Sequence, residues 1–145
     1  MTTDPRIGQF IQLYQSLQPG AVDMSALSGV YAETIEFSDP FHRISGLQNL
    51  SGYFRGLYQN IVAIRFDFHR VTSDDDGHIV HWTMTYRHPQ LYRGRRDIAV
   101  EGVSLLRWHN GRITHHQDIF DGGALLYEHL PLLGRIIHWL KERMA

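Results

Sequence analysis

Residues 97–120 read DIAVEGVSLLRWHNGRITHHQDIF, and this stretch decides the fold. Asn110-Gly111 in its middle is the dipeptide that closes a tight β-hairpin, because both central positions of such a turn need positive φ. Asp97 to Trp108 leads into the turn and Arg112 to Phe120 leads out, both patterned as strands. Upstream, Ile79 to His88 runs to a loop around Arg93-Gly94, and Ile64 to Thr72 runs to a turn at Asp76-Gly77. From Ile61 onward the sequence therefore predicts an antiparallel meander. On its last strand, period two places His116, Asp118 and Phe120 on one face and His115, Gln117 and Ile119 on the other.

Outward toward the N-terminus the period changes to helical. Asp4 followed by Pro5 reads as a cap with a first-turn proline, and Ile7, Phe10, Ile11, Tyr14 and Leu17 share one face before Pro19-Gly20. Asp23 caps a predicted short helix that buries Met24, Leu27 and Tyr31. Thr34 to Ser38 is strand-like, and Asp39-Pro40 forces an extended or turn conformation at Asp39. Ser45-Gly46 opens a third predicted helix with Leu47, Leu50, Phe54 and Leu57 at helical spacing. Beyond the meander, Gly122-Gly123 introduces an apolar helical tail, about residues 124–145, restarted at Pro131. Helices followed by antiparallel strands give an α+β class. The expected form is a single domain over residues 1–145, a cone-shaped curved sheet with the N-terminal helices on its concave face and a core of about residues 5–123.

Composition narrows the chemistry. The chain has 145 residues, 14 basic and 15 acidic side chains, ten histidines and no cysteine. A domain of this size buries roughly 70% of its unfolded surface. A net charge of -1 offers no field for nucleic acid or an anionic membrane. Without cysteine there is no disulfide, thiolate zinc site or thiol nucleophile. No run of about 18 apolar residues spans a membrane, and the N-terminus lacks a signal peptide's apolar core, so a cytoplasmic protein is expected. The histidines show no His-Glu-x-x-His spacing, so no metal site is expected. Ser104 lacks the flanking glycines of a nucleophile elbow, and no phosphate loop or dinucleotide fingerprint occurs, so no cofactor is implied. Arg93, Arg95 and Arg96 read as a solvated loop.

The order of elements and several motifs resemble the nuclear transport factor 2-like superfamily, in its SnoaL-like and ketosteroid isomerase-like branches. The motifs are Tyr14 on the first helix, Tyr31-Ala32, Phe37-Ser38-Asp39-Pro40, Gly46 with Tyr53-Phe54, and Asn110-Gly111-Arg112-Ile113 before a strand ending His116-Gln117-Asp118-Ile119-Phe120-Asp121. The resemblance covers about residues 5–123. It implies an apolar cone pocket that binds a hydrophobic, carbonyl-bearing small molecule, with isomerisation or cyclisation by carboxylate acid/base chemistry. The alternative is a non-catalytic ligand-binding or protein-interaction module of the same fold. Asp39 matches the isomerases' general base and Tyr14 their oxyanion-hole tyrosine, while Ser104 stands where they carry a protonated aspartate. Asp118, with His116 two residues earlier, matches the acid/base aspartate of the cyclases.

A carboxylate beside Phe37, Phe54, Trp82 and Phe120 would be suited to accept and return a proton. Against these roles stand plainer ones: Asp39 as a turn residue before proline, Asp118 paired with an arginine, and His116 as a satisfied core histidine. Trp82, Met84, Val100, Ser104, Asp118 and Phe120 are expected to line one cavity with Tyr14 and Phe54. The opposite sheet face carries Ile79, Thr83, Val103 and Leu105, which predicts a homodimer. The tail presents Leu132, Leu133, Ile136, Ile137 and Leu140 as a lid or an oligomer contact.

Overall fold

The computed structural model describes residues 4–20 and 22–144, apart from the side chain of Met24, so that residue's expected burial lies outside what is described. The meander is present as β3 (Ala63–Ser73), β4 (Gly77–Arg87), β5 (Ile98–His109) and β6 (Arg112–Phe120), each antiparallel to the next. Asn110 and Gly111 take φ of 51° and 77°, the left-handed pair that the hairpin requires. Two earlier strands complete a six-stranded sheet of order β2-β1-β6-β5-β4-β3, with β1 at Tyr31–Ser38 and β2 at Arg43–Ser45. The β1–β6 pair is parallel, so the otherwise antiparallel sheet is mixed at that one seam.

Helix α1 (Pro5–Ser16) starts on Asp4, whose carboxylate accepts from the Arg6 amide, with Pro5 in the first turn. It sends Ile7, Phe10, Leu13 and Tyr14 into the concave face of the sheet. Helix α2 (Met24–Ser28) is shorter than expected, and Tyr31 lies outside it, opening β1 as the ladder partner of Ile113. The reason is local: Gly29 ends the helix, and the aromatic and β-branched run that follows suits a strand. Ser45 likewise belongs to β2. Helix α3 (Leu47–Asn60) begins only after Gly46, whose φ of 91° is open to glycine at little cost. Its inner stripe is Leu50, Ser51, Phe54 and Tyr58, whereas Leu57 is left exposed.

One irregularity sets the phase of β6. Between Arg107↔His115 and Trp108↔Ile113 the ladder skips Thr114, so Ile113 and His116, three residues apart, both point into the core. Beyond β6 the chain does not leave the cone. Helix α4 (Gly122–Leu125) and a 3-10 turn at Tyr127–His129 press Leu125, Leu126 and Leu130 against Tyr86, Leu91, Ile98 and Val100. The Tyr86 hydroxyl donates to the Leu125 carbonyl, and Tyr92 donates to His129 Nδ1 at 2.6 Å. This stretch closes one end of the cone. Helix α5 (Pro131–Met144) then buries only Gly134, where a Cβ would stand 2.5 Å from the Glu128 carbonyl oxygen, and exposes Leu132, Ile136, Trp139 and Leu140. Among the described residues no helix is long and apolar enough to cross a membrane.

Candidate functional site

Strand pairing assembles the site. Ser104 on β5 and Asp118 on β6 are direct ladder partners, His116 precedes Asp118 by two on the same face, and Phe37 on β1 is the parallel neighbour of His116. Ser104 Oγ donates to Asp118 Oδ1 at 2.6 Å, and His116 Nε2 meets the same oxygen at 2.6 Å. Behind Ser104, the Trp82 indole N–H donates to Oγ at 2.9 Å. Behind His116, Nδ1 meets the Tyr31 hydroxyl at 2.8 Å, and that hydroxyl meets the Tyr14 hydroxyl at 2.7 Å. A single chain of hydrogen bonds therefore runs from Tyr14 on α1 through β1 to Asp118.

The chain is dry along most of its length. His116 is 1% exposed, stacked on Tyr31 at 5.8 Å and met edge-on by Phe37 at 4.9 Å. Burial drives the Tyr14 phenol well above its usual range, with Tyr31 and the charge of Asp118 adding to it. Burial likewise raises Tyr31, where the bond to Tyr14 pulls the other way. Both phenols thus keep their protons and carry hydrogen bonds rather than charge. The Asp118 side chain, at 17% exposed, is the most open member of the pair it forms with His116. Among the described residues no donor reaches its Oδ2. Asp118 edges a cavity of about 10 Å³, lined also by Phe10, Tyr14, Phe66, Phe68, Trp82 and Ser104.

Gly102 explains why the indole reaches Ser104. It is the ladder partner of Trp82, and a Cβ there would stand 2.5 Å and 2.8 Å from two indole carbons. The bare backbone lets the ring lie along β5.

Of the residues singled out from sequence, Tyr14, Trp82, Ser104, His116 and Asp118 are thus brought together. Phe37 and Phe54 pack behind His116 and Tyr31 rather than along the cavity, and Phe120 and Met84 bridge the two core clusters. Val100 sits at the closed end with Tyr86 and Ile98. Asp39 stands apart, as a turn residue. Its Oδ1 accepts the amides of Phe41 and His42 at 2.8 Å each, and its Oδ2 accepts the Tyr53 hydroxyl at 2.8 Å. The expected roomy pocket is instead largely filled by the protein's own rings, because α1 and the segment after β6 both press inward. An open groove of about 600 Å³ lies elsewhere, lined in part by Glu36, Arg43, Leu105 and His115, and does not include Asp118. Tyr31 was not anticipated as part of the site. Its signal was the shared parity of Tyr31, Ile35 and Phe37, which marks one face of a strand. Among the described residues no group of three potential ligands is placed to hold a metal ion.

Residues 10–116 match the SnoaL-like domain. The chain belongs to that family. Solved structures agree on the fold. A ketosteroid isomerase-like protein from Catenulispora acidiphila, in complex with trimethylamine, has a TM-score of 0.72 at 17% identity, over 86% of this chain and 92% of that one. A protein from Jannaschia sp. CCS1 assigned as a SnoaL-like polyketide cyclase has 0.71 at 12%, over 87% and 94%. An LEH-like epoxide hydrolase from M. tuberculosis has 0.64 at 17%, over 81% and 80%. No curated protein matches the sequence. This SnoaL-like chain therefore has the cone fold of the nuclear transport factor 2-like superfamily, a fold used for small molecules.

Proposed function

We propose that this SnoaL-like protein is an acid/base enzyme of the isomerase or cyclase type, acting on an apolar, carbonyl-bearing small molecule with Asp118 as the proton carrier. One observation carries the reading: Asp118 is held at Oδ1 by Ser104 and His116 and keeps Oδ2 without a donor at the edge of an aromatic cage. A carboxylate fixed in that way takes a proton from carbon beside a carbonyl. It returns the proton to another carbon in an isomerisation, or to the alkoxide formed by ring closure in a cyclisation. His116 and Ser104 hold the carboxylate while it does so. The reaction moves protons alone and calls on no cofactor. The cyclase assignment of the Jannaschia protein and the hydrolase activity named for the mycobacterial one support a small-molecule role.

A second reading, a non-catalytic ligand-binding or protein-interaction module, is favoured by the cavity of about 10 Å³. The deciding experiment measures turnover of a steroid-enone and polyketide-like panel by wild type, Asp118→Asn and Asp39→Asn, with folding checked by melting temperature. Loss of an acid/base group typically costs about 10²–10⁴-fold in rate. That loss is expected for Asp118→Asn, whereas Asp39→Asn, spent on its turn, keeps most activity. No turnover by the wild type on any substrate would give the second reading the weight.

A further inference from the structure

The direction of every hydrogen bond around the cage follows from Asp118. An ionised carboxylate only accepts, so the Ser104 hydroxyl and His116 Nε2–H both point at Oδ1. A neutral imidazole with its proton on Nε2 has a bare Nδ1, so the Tyr31 hydroxyl points at His116. The Tyr31 oxygen then receives the Tyr14 proton. Trp82 N–H is already given to Ser104. Each donor is thereby turned inward along the chain. Two polar features remain toward the cage: a lone pair on the Tyr14 oxygen, and Asp118 Oδ2, which no described residue donates to. The other lining side chains, Phe10, Phe66 and Phe68, are hydrocarbon.

We infer that the cage selects a ligand whose polar group donates, an O–H or N–H on an apolar body as in a phenol or an enol, and rejects an isosteric ligand offering only a carbonyl or ether oxygen. An acceptor oxygen placed there meets two acceptors and no proton, and leaves its own lone pairs unpaired in a dry site. A donor satisfies Asp118 at once. The inference rests on the reading of this cage as the ligand site, and it sharpens that reading. An enolisable carbonyl compound enters with its enol hydroxyl toward Asp118, and its remaining carbonyl lies elsewhere. Tyr14 then acts as an acceptor, the reverse of the oxyanion-donor role that its resemblance to the isomerases implies.

The test compares binding of matched pairs, phenol against anisole and cyclohexanol against cyclohexanone, by calorimetry or by NMR shift changes at Trp82 and Phe68. Wild type is expected to prefer the donor of each pair by at least about tenfold, the scale of one hydrogen bond to a charged group. Asp118→Asn is expected to reverse the preference. Its amide oxygen stays under Ser104 and His116, and its NH₂ supplies the donor that the cage lacked. Imidazole ¹⁵N shifts of the unliganded wild type read the polarity independently, and are expected to show His116 protonated on Nε2 and bare at Nδ1. Equal or tighter binding of anisole and cyclohexanone, binding of neither member of the pairs, or a proton on Nδ1 overturns the inference. Donor selectivity in a protein without turnover removes the enzyme and leaves the inference standing.

Discussion

Asp118 and Asp39 differ by what reaches them. Asp39 accepts two backbone amides and a phenol, a full set for a turn carboxylate. Asp118 accepts two side-chain donors on one oxygen. Its posture depends on residues that never touch a ligand, and Ser104 is the most exposed to test. Ser104→Ala removes one donor to Asp118 and strands the Trp82 N–H, a group only 3% exposed as a residue. Leaving a buried donor unpaired costs about 1–3 kcal/mol, which urea unfolding would show as a lower midpoint at unchanged slope. An unaltered midpoint would mean that the indole finds another acceptor. Gly102→Ala attacks the same link from the backbone side, since its Cβ falls 2.5 Å from the indole and 2.9 Å from the Ile119 carbonyl oxygen. Overpacking of this kind costs typically about 1–3 kcal/mol, and blue-shifted or broadened Trp82 emission would accompany it.

At the scale of elements, α1 is pinned to the sheet by a titratable contact. Asp4, its cap, holds the Arg6 guanidinium at 2.8 Å and lies 3.2 Å from Nε2 of His78, the second residue of β4. Trp108 donates its N–H to His78 Nδ1 at 2.9 Å, so the single imidazole proton sits on Nε2, toward Asp4. Burial lowers the His78 pKa below its usual 6.5, against the pull of Asp4. The bond from Arg6 holds the Asp4 carboxyl down at about 2. The unfolded chain binds the His78 proton more readily, so stability is full above 6.5 and falls as pH drops from there toward the lower folded value. Asp4 continues the loss between about 4 and 2, in the same direction. Melting temperature against pH should therefore slope downward below 6.5, and His78→Gln should flatten that limb; an unchanged slope would place the titration elsewhere. The sequence showed the cap at Asp4-Pro5 but not this anchor, because His78 and Asp4 meet only through strand register. The same distinction runs through the fold. The hairpins at Asp76-Gly77 and Asn110-Gly111 were legible because turn chemistry is local. Tyr31 and the 600 Å³ groove were not, since a parallel seam and a bulge at Thr114 are settled by partners far along the chain.

For the whole molecule, the outer face of the sheet is where the chain remains unfinished. Ile79 pairs across the ladder with Leu105, and Val103 with Ile119, so four apolar side chains adjoin on the side away from α1 and α3. Ile79 and Ile119 are each 47% exposed. An antiparallel sheet tolerates one wet face when that face is polar, and this one is not. Two sheets packed face to face stand about 10 Å apart and interdigitate such residues, and a standard interface covers roughly 800 Å² per partner. The apolar side of α5 is a second uncovered surface, but it hangs on a 3-10 turn through Gly134, whereas the sheet face is fixed by four paired strands. We therefore propose a homodimer through the sheet. Light scattering at micromolar concentration is expected to give twice the chain mass for the wild type. Val103→Glu, which places a charge at the middle of the patch, is expected to give a monomer that still folds, because the side chain points away from the core. Ile136→Glu on α5 is expected to leave the dimer intact. A wild-type monomer across that range would rule the sheet interface out, and a dimer lost through Ile136→Glu but kept through Val103→Glu would transfer the contact to α5.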